Sequence, residues 1–204
     1  MYKHCHVTRS TTYASLPTVR DSAIQDARPW PIALASQPYQ HSDYDFRMSD
    51  RHLEKTRTFA VSVEQAYDAV LLAPLPDIFS RRYLAIAPIR EVTGQHGEWG
   101  GSIGQTRTIR LADGGTMLET LTSIDPHNSF GYSISNVTGL MKPLVAAAAG
   151  SWTFSAVDTG TQITWAWDVT PTAMLGRAAM PVFAKLWSGY ARQAMDQIET
   201  ILAP

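Results

Sequence analysis

Two neighbouring segments near the C-terminus alternate large aromatic residues with small or polar ones, and an amphipathic helix pattern follows them. Alternation with a period of two is typical of strands, so each segment presents one aromatic face. The residues on that face are Trp152, Phe154, Ile163, Trp165 and Trp167. The helix pattern runs from about Gly176 to Leu202 and, at about 1.5 Å per residue, is long enough to cross a sheet. Aromatic strands that face a helix form either a filled core or the wall of an apolar pocket.

Size and charge restrict the class of protein. The 204 residues are 45% hydrophobic and 17% charged, which suits one globular domain. The 17 basic and 18 acidic side chains give a net charge of -1, and neither sign is strongly clustered along the sequence. This balance argues against nucleic acid or an anionic membrane as the main partner. Cys5 is the only cysteine, so neither an intrachain disulfide nor a thiolate metal cluster is expected.

No apolar run approaches the roughly 18 to 20 residues that span a bilayer. The longest run of small apolar residues is 144–149, and residues 2–26 are polar and broken by charge, without a signal-peptide core. The sequence therefore predicts a soluble cytoplasmic protein without integral membrane association, either a monomer or a homodimer.

Residues 1–50 differ in composition from the rest of the chain. They are rich in Ser, Thr, Gln, His and Pro and show neither helical nor strand periodicity. Such a segment buries too little apolar surface to offset its ordering entropy, so we expect a disordered or loosely ordered extension. Met48 stands just before the first predicted element, and an alternative hypothesis is that translation starts there. The folded domain is expected to span residues 55–204.

Regular elements follow from residue 56. Residues 56–63 alternate as a strand, and Ser62 with Gln65 resembles a capping box that opens a helix through Leu72. A second helical piece is expected over 75–82, and a long crossing over 138–149. Six further strands are expected near Ile86–Thr93, Ile103–Leu111, Thr116–Ile124, Ser129–Val137, Gly150–Val157 and Gln162–Thr170. Pro181 lies in the first turns of the last helix, so that helix has an alternative start at Met180.

This order of elements resembles the START-like or Bet v 1-like arrangement, the SRPBCC superfamily. The stretch GQTRTIRLADGGTMLETLTSIDPHNSFGYSI is similar to the polyketide cyclase/dehydrase-like and abscisic-acid-receptor-like branches. The residues that match are Gly104, Arg107, Gly114, Gly115, Glu119, Leu121, Asp125, Pro126 and Tyr132. GTQITWAWDVTP likewise resembles the seventh strand of the superfamily, and the similarity covers residue 55 to the end.

The resemblance implies an α+β helix-grip fold. In it, a curved antiparallel sheet of about seven strands wraps around a long C-terminal helix, and two short helices follow strand 1. An apolar cavity is implied between the sheet and the helix, with Arg107 and Glu119 facing it. The hairpin at 113–115 and the loop at 139–145 would flank its mouth, and that loop is a candidate lid. The superfamily contains lipid carriers, hormone receptors, cyclases and oxygenase ligand domains, so the resemblance implies no single activity.

The residues alone leave the register of one hairpin open. A two-residue turn at Asp113 and Gly114 pairs Arg107 with Thr120 and sends Glu119 to the opposite face. A one-residue bulge, which three consecutive turn-forming residues allow, pairs Arg107 with Glu119 instead. The resemblance favours this second register. The pair is either a solvent-facing ion pair, which contributes roughly 0 to 1 kcal/mol, or a polar pair inside a cavity.

The candidate ligand-binding residues combine this polar pair with the aromatic face and the helix. They are Arg107, Glu119, Tyr132, Trp152, Phe154, Trp165, Trp167, Phe183 and Trp187. The tryptophans and Tyr132 are equally compatible with a simple core. If the protein is an enzyme, Glu119 and Arg107 are the candidate catalytic residues, with Glu119 as acid or base. The neighbouring Arg107 would oppose a raised Glu119 pKa.

No metal and no cofactor is expected. The six histidines lie in the extension, beside it or in turns, so no pair has ligand spacing on a helix or strand of the domain. The glycines at 97, 100, 101 and 104 lie in a hairpin loop, so they form no dinucleotide fingerprint. Asp168 lies on the polar side of the alternating pattern in the last strand, opposite the tryptophans, and is expected to face solvent.

Three functions remain. The first is a binding module for a hydrophobic small molecule such as a lipid, polyketide or aromatic metabolite. The second is a cyclase or dehydratase that uses Glu119 and Arg107. The third is a partner-binding or stress-response domain whose aromatic residues fill the interior. A cavity below about 150 Å³ would favour the third, since drug-sized ligands need roughly 300 Å³ or more.

Overall fold

The computed structural model describes residues 51–203, which form seven strands, three α-helices and one short 3₁₀ helix. The strands are β1 (Arg51–Phe59), β2 (Ile89–Thr93), β3 (Thr106–Leu111), β4 (Thr116–Asp125), β5 (Ser129–Ser135), β6 (Val145–Val157) and β7 (Gly160–Pro171). The helices are α1 (Val63–Leu72), α2 (Leu75–Ile78) and α3 (Met174–Leu202), and the 3₁₀ helix is Gly139–Met141. The predicted N-terminal extension and the alternative start at Met48 lie outside the described residues.

The seven strands form one antiparallel sheet in the order β1-β7-β6-β5-β4-β3-β2. Four hairpins connect β3 through β7, whereas β1 joins the far side of the sheet by pairing with β7. The long helix α3 packs against this sheet through a buried stripe that includes Phe183, Trp187, Ala194 and Ile198. This architecture confirms the predicted α+β helix-grip fold with two short helices after the first strand.

The predicted capping box opens α1. Ser62 is the N-cap residue, and its hydroxyl accepts a hydrogen bond from the Gln65 backbone N–H at 3.2 Å. The Gln65 side chain accepts from the Ser62 N–H at 3.1 Å. These reciprocal bonds satisfy two donors that the first turn of a helix leaves without partners. The helix ends at Leu72, two residues before Pro74, as the sequence predicts.

Several element boundaries differ from the sequence prediction. β1 begins at Arg51 and ends at Phe59, and α2 stops at Ile78. The largest difference is β6, which begins at Val145 rather than Gly150. Its first part is a run of alanines, which have low strand propensity and no side-chain alternation that would indicate a strand. Pairing of this run with β7, and of its last two alanines with β5, makes it a strand and shortens the predicted crossing.

The C-terminal helix begins at Met174, so the alternative start at Met180 is wrong and Pro181 lies inside the helix. Proline removes one intrahelical hydrogen bond and crowds the preceding turn. Met180 and Phe183, on either side of the proline, are both buried, and this packing keeps the helix continuous past Pro181. No helix within residues 51–203 is long and apolar enough to cross a membrane.

Candidate functional site

The β3–β4 hairpin determines which polar side chains face the interior. Leu111 pairs with Gly115 through a 2.8 Å hydrogen bond between the Leu111 N–H and the Gly115 carbonyl, which leaves a three-residue loop. Gly114, the last residue of that loop, has a φ of 87°, a conformation that favours glycine. Of the two registers that the sequence leaves open, this loop produces the bulged one, in which Arg107 lies directly opposite Glu119.

Arg107 and Glu119 form a buried ion pair. Arg107 Nε donates to Glu119 Oε2 at 2.5 Å, and the two residues are only 6% and 3% exposed. On the outer face of β3 a contrasting contact joins that strand to β2, with Arg110 Nε 3.7 Å from Glu91 Oε1 and both side chains half exposed. The structure therefore excludes the solvent-facing alternative for Arg107 and Glu119.

Trp99 covers the Arg107 guanidinium, which lies 3.8 Å from the centroid of the indole ring. Such cation–π contacts are stronger where water is excluded, and Trp99 is 4% exposed. Trp99 is not among the candidate residues from the sequence, because it lies in the glycine-rich loop after β2, whose composition predicts only a turn. A single large aromatic residue within that polar loop is the signal that indicates it.

The Gln105 side chain holds the loop that carries Trp99. Its Oε1 accepts from the backbone N–H groups of Gly100 and Ser102 at 3.0 and 3.3 Å. Its Nε2 donates to the Glu98 carbonyl at 2.8 Å. One amide thus closes the loop on both sides of Trp99, and this closure keeps the indole over the ion pair.

Tyr132 is the third polar group of the interior. Its hydroxyl oxygen accepts hydrogen bonds from Trp165 Nε1 at 2.6 Å and from Trp167 Nε1 at 2.8 Å. An indole N–H can only donate, so the two bonds use both lone pairs of the Tyr132 hydroxyl oxygen. The hydroxyl hydrogen remains available to donate. Burial, together with the charge of Glu119, raises the pKa of Tyr132, so this phenol keeps its hydrogen.

Arg107, Glu119 and Tyr132 each have atoms that could still form a further hydrogen bond. Within residues 51–203, the Arg107 Nη groups, Glu119 Oε1 and the Tyr132 O–H hydrogen have no hydrogen-bond partner. Burial raises the pKa of Glu119, and the charge and hydrogen bond of Arg107 oppose that rise. Trp99 Nε1 and Trp187 Nε1 in the same interior are likewise buried without a partner within the described residues. The interior therefore offers guanidinium, phenol and indole donors and one carboxyl oxygen to whatever occupies it.

An apolar cavity of about 60 Å³ lies between the sheet and α3, bordered by these polar groups. Eight of the nine predicted ligand-binding residues line it, namely Arg107, Glu119, Tyr132, Trp152, Trp165, Trp167, Phe183 and Trp187. Phe154 is not among the lining residues, and its ring packs 5.3 Å from that of Tyr67 instead. Phe79, Trp99 and Tyr190 line the cavity although the sequence analysis did not select them.

Stacked aromatic rings occupy much of the interior. The Trp152 and Trp165 rings are nearly parallel, with centroids 5.2 Å apart, and Trp187 lies 4.8 Å from Trp165. The remaining volume has room for a few waters, since one water needs at least about 10 to 15 Å³. It lies below the roughly 150 Å³ at which the sequence analysis favours a filled interior. A ligand of drug size would have to displace side chains.

The segments expected at the mouth lie together at one edge of the cavity. Gly139 approaches the β3–β4 hairpin so closely that an added Cβ would lie 2.6 Å from Gly115 Cα. Met141, in the same 3₁₀ turn, lines the cavity. The role of residues 139–145 as a lid remains a prediction. Within residues 51–203, no three metal-binding side chains come together.

A protein-family model described as polyketide cyclase/dehydrase and lipid transport matches residues 50–203. No curated protein matches the sequence.

Solved structures show the same fold at low sequence identity. Major latex-like protein 151 from Panax ginseng is 14% identical with a TM-score of 0.56, and the similarity covers 76% of this chain and 98% of that one. Protein MLL2253 from Mesorhizobium loti is 13% identical with a TM-score of 0.55, covering 74% and 96%. Ara h 8.0201 is 17% identical with a TM-score of 0.53, covering 74% and 97%.

Proposed function

Since this chain belongs to the polyketide cyclase/dehydrase and lipid transport family, we propose that it binds a small, mainly apolar molecule bearing an oxygen acceptor. The predicted membership of the SRPBCC superfamily is confirmed by the family match and by the structural neighbours. The binding position is the cavity between the sheet and α3. The ligand class is a hydrophobic metabolite with a carbonyl or similar oxygen.

The observation that carries this proposal is the unused hydrogen-bonding capacity of Arg107 and Tyr132. The guanidinium Nη groups and the phenol hydrogen lack partners within the described residues, in surroundings that are otherwise apolar. Buried donors without acceptors are costly, and an acceptor oxygen relieves that cost. A ligand oxygen between the two donors would be oriented by them, while its apolar part contacts the aromatic wall.

The small volume supports a competing function. With about 60 Å³ available, a domain whose aromatic residues simply fill the interior needs no ligand. Ligand binding requires side chains at the edge of the cavity, such as Met141 or Phe183, to move. Small aromatic probes therefore distinguish the two functions best, because they need the least displacement.

We expect acetophenone to bind at least about tenfold more tightly than ethylbenzene, which has the same carbon skeleton without the oxygen, because hydrogen bonds to charged donors contribute about 1.5 to 3 kcal/mol. Isothermal titration calorimetry measures both affinities. Tyr132→Phe removes one donor and should reduce this preference while leaving ethylbenzene binding in place. Arg110→Gln, on the outer face of β3, is the matched control and should bind both probes as the wild type does.

Equal affinity for the two probes would contradict a polar role for the cavity. Absence of binding by either probe would contradict the ligand proposal itself and favour the filled interior. Native mass spectrometry of protein from its own host then tests for a retained natural ligand.

A cyclase or dehydratase is the second candidate function, and the environment of Glu119 favours it. Burial raises the pKa of this carboxyl beside the cavity, as a general acid or base requires. Arg107 would polarise the substrate oxygen while Glu119 transfers the proton. Glu119→Gln keeps the shape of the side chain, so a binding protein would retain its affinity for the probes, whereas an enzyme would lose turnover of its substrate.

A further inference from the structure

A group of exposed apolar side chains lies beside one edge of the cavity, on the first part of α3 and on the 3₁₀ turn. We call it the docking face, and it consists of Leu140 (65% exposed), Met174 (86%), Leu175 (63%) and Val182 (62%). Isolated exposed apolar residues are ordinary, but a contiguous group of them is typical of an interaction surface.

Backbone contacts join the two segments of the docking face. The Thr172 N–H donates to the Leu144 carbonyl at 3.0 Å, and the Thr172 hydroxyl donates to the Pro143 carbonyl. Gly176 packs so closely that an added Cβ would lie 2.5 Å from the Leu144 carbonyl oxygen. The turn and the start of α3 are therefore fixed side by side. Val182 follows Leu175 by two helical turns, on the same side of α3.

All charged side chains on the two segments that form the docking face are positive. Lys142 and Lys185 are exposed there, Arg177 is exposed on the flank of α3 that faces away from Leu175, and neither 139–157 nor 174–195 contains an acidic residue. The start of α3 has no side-chain cap, which leaves the positive end of the helix dipole uncompensated. On the neighbouring hairpin, Asp113 accepts a hydrogen bond from the Gly115 N–H at 3.0 Å. The balanced charge of the whole chain conceals this local asymmetry.

We propose that the docking face binds the surface of an anionic lipid bilayer. Exposed apolar side chains with flanking cations and no acids suit the boundary between headgroups and acyl chains. Leu140 and Val182 would enter that boundary with Met174 and Leu175, and the cations would contact headgroup phosphates. Met141 and Phe183, the neighbours of Leu140 and Val182, line the cavity, so the docked surface lies next to it. Binding would be peripheral and reversible.

Sedimentation with lipid vesicles tests this proposal on the full chain. We expect binding to vesicles of phosphatidylcholine mixed with phosphatidylglycerol, weaker binding to phosphatidylcholine alone, and release as salt is raised. The double variant Met174→Ser/Leu175→Ser should bind the mixed vesicles about tenfold more weakly or less, because it removes two large apolar side chains from the interface. Arg177→Gln/Lys185→Gln should lose roughly tenfold on the mixed vesicles and little on the neutral ones.

Val157→Ser is the matched control, because Val157 is 38% exposed at the opposite end of β6 and should leave vesicle binding unchanged. Equal binding to both vesicle types, or unchanged binding by the serine double variant, would overturn the proposal. So would a wild-type dimer in size-exclusion chromatography that Leu175→Ser dissociates, since the face would then join two copies. Acetophenone affinity is measured separately on the same variants and should not change, which distinguishes this proposal from the ligand proposal.

Discussion

Arg107→Leu is expected to lower the free energy of unfolding by about 3 to 5 kcal/mol near neutral pH, which is the usual cost of leaving one partner of a buried ion pair alone. Glu119 is 3% exposed and its only hydrogen bond within the described residues comes from Arg107. Urea unfolding at neutral pH measures the change. The double variant Arg107→Leu/Glu119→Leu removes both charges and should recover most of the lost stability.

The outer-face variant Arg110→Leu is the control for this experiment. Its partner Glu91 is half exposed at 3.7 Å, and surface pairs of that kind contribute at most about 1 kcal/mol. Equal losses for Arg107→Leu and Arg110→Leu would show that the inner ion pair is hydrated like the outer one.

The Arg107→Leu effect should also depend on pH. Burial raises the pKa of Glu119 above its ordinary 4.5, and Arg107 is the group that lowers it, so removing Arg107 raises the pKa further. A carboxyl with a raised folded-state pKa favours folding in its protonated form, and that contribution is lost as pH rises through the folded-state value. Because the wild-type pKa is itself above 4.5, the difference between variant and wild type should widen as pH rises through the wild-type value towards that of the variant. A constant difference over that range would contradict a buried, titrating Glu119.

The second large effect is expected for Gly150→Ala, with a loss of about 3 kcal/mol or more of unfolding free energy. The Tyr132 ring lies over Gly150, and an added Cβ would lie 2.2 Å from the ring carbon Cζ. Tyr132 must then move, which separates its hydroxyl from the indole N–H groups of Trp165 and Trp167. Urea unfolding gives the stability, and tryptophan emission reports the changed surroundings of the two indoles.

Gly101→Ala provides the comparison for Gly150→Ala. The nearest atom to its added Cβ is a carbonyl oxygen at 3.5 Å, an ordinary contact, so stability and emission should stay near the wild-type values. If Gly150→Ala instead has the same stability and tryptophan emission as the wild type, the two indoles do not hold Tyr132 in place.

Strong local signals made most of the fold predictable. The capping box at Ser62 and Gln65 marked a helix start, and the aromatic alternation in β6 and β7 marked two core strands. Local patterns failed where tertiary pairing decides. The alanines of β6 become a strand because β5 and β7 pair with them, and Pro181 stays helical because its neighbours are buried.

The candidate site was predictable to a smaller extent for the same reason. Arg107 and Glu119 were selected from the sequence, but turn-forming residues alone allowed two registers, and the loop with Gly114 at positive φ decided between them. Trp99 stands out as an aromatic residue in a polar loop, but its position over Arg107 could not be predicted, because nothing local to a loop shows which side chain it covers. The cavity volume depends on how the rings stack, which strand periodicity does not specify.

The position of β1 in the sheet affects how this chain folds. β1 is made before every other strand but pairs only with β7, and the contact between His52 and Asp168 spans 116 residues. Contacts that distant slow folding, because a long loop must close before they form. During synthesis at about 5 to 20 residues per second, Leu53 and Phe59 would wait roughly 5 to 23 seconds for their partners Trp167 and Thr161. We therefore expect the local hairpins from β3 to β7 to form before β1 joins the sheet, and chaperones to have that interval in which to bind β1.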